Sequence, residues 1–576
     1  MCGIIGLVSD KEFSVNRTLI RALKRLEYRG YDSWGYASSN GGFFKEKGEV
    51  AYLENDLNTK TGIAHTRWAT NGGVTTENAH PHFNKDKTIF AVHNGIIENA
   101  PQLKESLEKK GYEFLSQTDS EVIVHFFDHR LSKGRDMKEA MFDFLNKVEG
   151  TFAILILRPE ENKIYALKRD SPLVMGLSSG QNILSSDVYA FSNITDKAIF
   201  FEDNEFAIID NNSYEFFDMY GKRIEKETKV FEWEVEDQTK DKFPHYMLKE
   251  IHEEANVARR LLQSLKTTQK DKFDDFVKQL YNSKRVVFVS CGTSYHAALI
   301  GSYILNKVGI RSQAVIASEF QNFVDIDKDT TVIAISQSGE TMDVVVVIKE
   351  AVKKGARVLS IVNVPYSTIQ RHSSASLEIM AGQEICVAAT KSFTNQLITL
   401  FALGKELGYN RIKLKNIPTK ITRTIKKTED GIKKLAKELV DNEHIFVLGR
   451  GVSYPIAREI ALKLKEIPYV HAEGMMGGEL KHGTIALVEE NTPVISLIPN
   501  KNTDMITNTK EVEARGAKTI IISNTNDGAI NIEKCDDAEF SIYSSLVGHL
   551  LSYYIAKRKG LPIDKPRNLA KSVTVK

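Results

Sequence analysis

Arg-Val-Val-Phe-Val-Ser-Cys-Gly-Thr-Ser-Tyr (285–295) returns, altered but legible, as His-Ile-Phe-Val-Leu-Gly-Arg-Gly-Val-Ser-Tyr (444–454). Both are apolar, β-branched runs that meet a glycine and then a Ser-Tyr pair. Without polar alternation, such a run reads as a strand buried on both faces of a parallel sheet. Two more segments recur in the same order. Thr-Val-Ile-Ala-Ile-Ser (331–336) is answered by Thr-Pro-Val-Ile-Ser-Leu-Ile-Pro (492–499), and Lys-Gly-Ala-Arg-Val-Leu-Ser-Ile-Val-Asn (354–363) by Ala-Arg-Gly-Ala-Lys-Thr-Ile-Ile-Ile-Ser-Asn (514–524). A helical stretch follows each strand. Two copies of one α/β unit, each a parallel sheet with crossover helices, is the economical reading.

The copies differ where chemistry would sit. After its second strand the first has Ser-Gln-Ser-Gly-Glu-Thr (336–341), and the second has Pro-Asn-Lys-Asn-Thr (499–503). Hydroxyls and a glycine at a strand-to-helix turn suit phosphate, because backbone N–H groups and the helix N-terminus supply the field and Ser/Thr add donors. A single such turn is usually only a helix cap. Here Cys-Gly-Thr-Ser (291–294) has the same character, so two turns face one site at the carboxyl ends of the strands. One phosphate site per chain is expected, in the first copy, with Thr293, Ser294, Ser336, Gln337, Ser338 and Thr341 around it.

N-terminal to the repeat the grammar changes. The first ~230 residues carry short strand-like runs (88–93, 151–157, 204–210) with helical stretches at 99–110 and 120–132. This predicts an α+β domain with layered antiparallel sheets. The expected boundaries are 2–222 for that domain, 223–245 for a charged linker, 246–425 and 426–562 for the two α/β copies, and 563–576 for a C-terminal tail. The segment 246–281 reads as helical throughout.

The 576 residues carry 77 basic and 75 acidic side chains, a formal net charge of +2. That balance gives no electrostatic reason to expect nucleic acid or an anionic membrane as partner. Cys2, Cys291, Cys386 and Cys535 are far apart and form no CxxC pair. A disulfide framework or metal site is therefore not expected, and a reducing, cytoplasmic setting is. No apolar run is long enough for a bilayer span.

The chain begins Met-Cys-Gly-Ile-Ile-Gly. Removal of Met1 leaves Cys2 with a thiol and a free α-amine, whose pKa of roughly 7.7–8.0 lets it act as base for its own side chain. Arg67, in His-Thr-Arg-Trp-Ala-Thr (65–70), suits a bidentate grip on a carboxylate. Asn94 and Gly95, in His-Asn-Gly-Ile-Ile-Glu-Asn (93–99), offer an amide and a backbone N–H for an oxyanion hole. Asp119 can hold a substrate ammonium.

These segments, with Leu-Glu-Tyr-Arg-Gly-Tyr-Asp-Ser (26–33), Asn-Ala-His-Pro-His (78–82) and Asp-Lys-Pro-Arg-Asn-Leu-Ala-Lys-Ser-Val-Thr-Val (564–575), resemble the N-terminal-nucleophile glutamine amidotransferases. Within that class they are most similar to the glutamine–fructose-6-phosphate aminotransferase family, whose glutaminase domain is followed by two sugar-isomerase (SIS) domains. The resemblance runs the whole length. It implies Cys2 as nucleophile, Asn94 and Gly95 as oxyanion hole, and Arg29, Arg67, Thr70 and Asp119 around L-glutamine. Trp68 would gate an ammonia channel. In the second half it implies a Schiff base at Lys571, proton shuttling by Glu466 beside Lys463, and ring opening by His482 reaching across a homodimer. Val387 joins the residues around D-fructose 6-phosphate. No cofactor is implied.

The chain also departs from the family pattern. Asn71 stands where histidine is usual, 72–76 lacks a proline, Ala389 replaces a frequent serine, Thr484 a proline and Glu254 a glutamine. Three alternatives follow. The first is a paralogue acting on another keto-sugar phosphate. The second is an isomerase or deaminase without glutamine use, against which Cys2, Arg67, Asn94 and Asp119 argue. The third is a sugar-phosphate sensor, which would not need Glu466, His482 or Lys571.

Overall fold

The computed structural model describes residues 2–231 and 239–574. It divides into two compact units, one formed by residues up to 231 with 570–574, the other by 239–569.

The first unit is built on two antiparallel sheets, one of eight strands and one of seven. Strand Gly150–Leu157 shows how they stack. Phe152, Ile154 and Ile156 pack with helices Glu121–Ser132 and Met137–Lys147, while Ala153, Leu155 and Leu157 pack with Ile4, Val8 and Ile63 of the other sheet. Period-two alternation thus fills a core on each face of one sheet. The outer face of the eight-stranded sheet is covered by the helical segment ending at Leu26. A Cβ on Gly3 would lie 2.8 Å from Leu26 Cβ and one on Gly62 2.6 Å from Leu19 Cδ1, so glycine permits that close approach beside Cys2. The expected linker is in part not one: Arg223–Ile224 and Lys229–Val230 are edge strands of the two sheets.

The second unit carries the duplication. Its sheets have orders 312–316, 285–290, 330–336, 357–362, 375–378 and 471–476, 444–449, 493–498, 518–523, 530–531, all parallel. Both follow the 2-1-3-4-5 doubly wound order, whose switch point lies between the first and third strands. The antiparallel-sheet domain and two parallel-sheet domains expected from sequence are therefore present. The expected helical stretch 246–281 forms Tyr246–Ser264 and Lys270–Tyr281.

The two copies share one apolar core. Phe288, Ile333 and Phe393 of the first belong to the same cluster as Val447, Ile495 and Leu546 of the second. Helix Asp537–Arg558 runs through it, buried on all sides from Ala538 to Ala556, as an all-round apolar helix must be.

Candidate active sites

Cys2 sits one residue before strand Gly3–Ser14, which pairs Gly3 with Thr66 at the end of Asn58–Arg67. That register brings Cys2 beside Trp68. The Trp68 backbone N–H donates to Cys2 Sγ at 3.4 Å, and its carbonyl lies 3.6 Å from the same sulfur. Burial pushes the Cys2 thiol up, against the pull of the Trp68 N–H and the Arg67 guanidinium. Asn94 Nδ2 donates to the Cys2 carbonyl at 3.0 Å. Gly95 next to it has φ +128°, and a Cβ there would lie 2.0 Å from the Thr151 carbonyl oxygen. Only glycine fits at this position.

The other expected residues of this site divide by what they already hold. Asp119, buried, accepts the Ile97 N–H at 2.7 Å and so fixes the turn after Gly95. Buried Arg67 donates to the carbonyls of Asn71, Gly72 and Gly73 at 2.5, 3.3 and 3.1 Å. It therefore organises the 71–73 loop, where the sequence departs from the family. Thr70 is exposed at the head of that loop. Arg29 is committed elsewhere: its Nη2 pairs with Asp187 Oδ2 at 2.6 Å, and Tyr28 donates to the same oxygen at 2.6 Å. The resemblance implies Arg29 both near glutamine and as a group that orders the N-terminal loop, and these contacts suit the ordering role.

Beneath Asn94 lies a layer that spacing did not reveal. His65, His80, His82 and His93 are all buried, with His65 and His80 stacked at 4.1 Å and His80 and His82 edge-on at 4.6 Å. His65 Nε2 contacts the His93 carbonyl at 2.9 Å, and His93 Nδ1 contacts Ser120 Oγ at 2.8 Å. Burial lowers His65 to about 3, His80 and His82 well below the usual range, and His93 less far. These imidazoles are neutral at pH 7. They come from separate segments, so only the repeated histidines of 65–93 hinted at them.

In the second unit, helix Gly292–Lys307 starts at one side of the first switch point and the 336–341 turn forms the other. Ser336 Oγ accepts the Gly339 N–H at 3.0 Å and lies 2.9 Å from Thr341 Oγ1, while Ser338 Oγ accepts the Glu340 N–H at 3.2 Å. Gly339 has φ +67°, and a Cβ there would meet Ser367 Oγ at 2.0 Å. The Gln337 carbonyl takes the Asn363 N–H at 3.2 Å. Ser294 is buried and its hydroxyl accepts from Gln396 at 2.9 Å, so it acts as packing for the turn. Val387 belongs to the buried stretch before helix Lys391–Glu406, its N–H donating to the Asp564 carbonyl at 3.0 Å.

Lys463 and Glu466 are joined, Nζ to Oε2, at 2.6 Å, and Lys463 also donates to Thr293 Oγ1 at 3.0 Å. The second copy thereby reaches the first copy's switch point. Glu459, one turn earlier on helix Ser453–Glu466, holds Lys463 at 3.2 Å and His296 Nδ1 at 2.7 Å. Burial opposes its charge, but Lys463 and then His296 keep Glu459 well below the usual carboxylate range. The 459/463/466 spacing on one helical face carried this signal, and Glu459 was missed.

His482 is exposed, at the end of the short turn Leu480–His482. The expected tail divides. Asp564 stays with the second unit, accepting the N–H groups of Tyr246 and Met247 at 3.0 and 2.9 Å, whereas half-buried Lys571 lies in 570–574 of the first. Among the described residues no group of three His, Cys, Asp or Glu is arranged to hold a metal ion, and no helix is long and apolar enough to cross a membrane.

Residues 65–193 match the glutamine amidotransferase domain family, and 279–405 and 438–541 match the SIS domain family. The chain is 41% identical to the glutamine–fructose-6-phosphate aminotransferase (isomerizing) of Clostridium acetobutylicum, with all of both chains covered. It is 40% identical to that of Sulfolobus acidocaldarius, again over both full lengths. The chain belongs to the glutamine–fructose-6-phosphate aminotransferase family. A solved structure, the C-terminal domain of glucosamine-fructose-6-phosphate aminotransferase from Francisella tularensis, aligns in its entirety with 57% of this chain at 34% identity and a TM-score of 0.52. In this family the glutaminase and the duplicated sugar module share one chain, the organisation described above.

Proposed function

We propose that the protein moves the amide nitrogen of L-glutamine to D-fructose 6-phosphate and isomerises the product to D-glucosamine 6-phosphate, releasing L-glutamate. The observation that carries this reading is a pairing within one chain. Cys2 is held at its carbonyl by Asn94, the neighbour of Gly95, and a hydroxyl-rich switch point is joined by a Lys463–Glu466 acid–base pair.

Cys2 Sγ bonds to the glutamine amide carbon. Asn94 and the Gly95 N–H stabilise the oxyanion, the C–N bond breaks, and ammonia leaves with the proton taken from the thiol. Water then hydrolyses the thioester to glutamate. Arg67 and Asp119 hold the glutamine carboxylate and ammonium, Thr70 lies at the loop that covers them, and Trp68 gates the exit of ammonia. At the sugar site the 336–341 turn and Thr293 bind the phosphate. Lys571 condenses with the C2 carbonyl with loss of water, ammonia displaces the lysine, and Glu466 carries a proton from C1 to C2, leaving a C1 aldehyde and a C2 amine. His482 opens the sugar ring from the partner subunit of a homodimer.

The test is purified protein with glutamine and fructose 6-phosphate, scoring glutamate and amino-sugar phosphate together. Both products appear if the reading holds, and glutamate without amino sugar overturns it. Cys2→Ala should lose glutamate release and keep synthesis from added ammonia.

A further inference from the structure

Behind the Lys463–Glu466 pair, buried charge continues farther into the core than the reaction requires. His549 lies on helix Asp537–Arg558 and is fully buried. Its Nδ1 is 3.5 Å from Glu254 Oε1 and its Nε2 is 3.9 Å from Glu459 Oε1. Glu254, from helix Tyr246–Ser264, is also fully buried, and its second oxygen accepts from Thr394 Oγ1. Glu254 is one of the positions at which this chain departs from its family's usual glutamine. The helices can meet here because of Gly548: a Cβ at that position would lie 2.4 Å from Ile460 Cγ1.

Helix Tyr246–Ser264 presents Glu254, helix Ser453–Glu466 presents Glu459 with Lys463 behind it, and helix Gly292–Lys307 presents His296 to the same Glu459. Helix Lys391–Glu406 presents the Phe393 ring, 6.2 Å away edge-on, and Thr394. If His549 were neutral, Glu254 would face no cation among these groups, and Glu459 would keep only His296 and a lysine shared with Glu466. Unpaired buried charge is strongly disfavoured, so the arrangement calls for an imidazolium. Burial opposes that proton, but Glu254 and Glu459 raise the His549 pKa.

We propose that Glu254, His549, Glu459, Lys463 and Glu466 form one relay of alternating charge, in which the His549 imidazolium, held by Glu254, is a positioning group that keeps Glu466 ionised for its proton transfer. The proposal rests on the role given to Glu466 above. Loss of the His549 charge removes a buried positive field, so Glu466 binds its proton more readily. The chain's Glu254 and His549 then act as a unit: each needs the other, and together they can be exchanged for neutral groups.

The experiment is the pH profile of ammonia-driven amino-sugar synthesis in the full-length protein, with glutamate release as an internal control. In H549Q the acid limb should move up by about one pH unit, a field effect of a charge three steps away along the relay. E254Q lets His549 give up its proton and leaves the pair without net charge, so its limb should stay near the wild-type position. The double variant, equally neutral, should return toward the wild-type profile. An H549Q variant that folds, judged by unchanged glutamate release and thermal unfolding, yet keeps the wild-type limb overturns the proposal. A readout independent of activity separates this from failure of the functional reading. In histidine-labelled wild-type protein, the His549 ring nitrogens should report an imidazolium at pH 7, and a neutral ring there overturns the relay even if the enzyme makes amino sugar.

Discussion

Beneath the Cys2 site the buried histidines are neutral; around Lys463 the buried carboxylate and ammonium are ionised. Four histidines lie under the first site, each with its pKa lowered by burial. At the second, Glu459 and Lys463 are both fully buried, and each holds the other charged. The chemistry proposed for each explains the difference. Acyl transfer at Cys2 gathers charge only on a transient oxyanion, which pre-set dipoles can serve, so the layer beneath needs no charge of its own. Proton transfer between sugar carbons needs a carboxylate ready to accept and a cation to hold it in place, so that site keeps permanent charge and anchors it from four helices.

The sharpest way to break the contrast is to remove one buried charge. Lys463→Met leaves Glu459 and Glu466 facing each other and should lower the stability of the sugar unit by about 3–5 kcal/mol, read by urea unfolding, with glutamate release preserved. If the unit keeps its stability, the charges are not as buried as they look. Next is Asn94→Ala, which removes a neutral donor. Glutamine hydrolysis should fall by about 100- to 1000-fold with ammonia-driven synthesis unchanged, measured as kcat for glutamate release.

Acid should separate the two halves by a third route. The unfolded chain takes up protons on histidine near pH 6.5, whereas folded His65 resists to about 3. Stability from that layer is thus complete above pH 6.5 and is lost progressively as pH falls toward 3. Glu459, depressed, loses its contribution only below the ordinary carboxylate value of 4.5. Tryptophan occurs only at 34, 68 and 233, so its emission reports the N-terminal half. On acidification that emission should change before ammonia-driven synthesis, returned to neutral pH for assay, is lost. Coincident loss would mean that the histidine layer is not the weak point. The smallest effect sharpens the picture of the phosphate turn. Ser338→Ala should raise KM for the sugar phosphate by about two- to tenfold and leave kcat alone.

Much of this was legible because it is local. The strand expected at 285–290 is Arg285–Ser290, and the paired turns at 291–294 and 336–341 flank the switch point as their residue types implied. What escaped the sequence reading is what distant segments build together. His65, on strand Asn58–Arg67, meets His80 from the segment that leads into His82–Phe83, and His549 meets Glu254 only because two helices some 300 residues apart cross at a core. No spacing within a single element encodes either contact. The edge strands at 223–224 and 229–230 were hidden for another reason: their residues are charged, as exposed edges tend to be, and a charged run reads as linker.

The core common to both α/β copies has a consequence for the history of the chain. Neither copy encloses Phe393 or Leu546 alone, so neither can be excised without exposing the other's apolar face to water. Once two such halves have merged their interiors, deletion is closed to them and only divergence remains. The second copy, without the hydroxyl-rich turn, still had to be kept as half of the fold, and the helix bearing Glu459, Lys463 and Glu466 is what that obligation left free to acquire a new task.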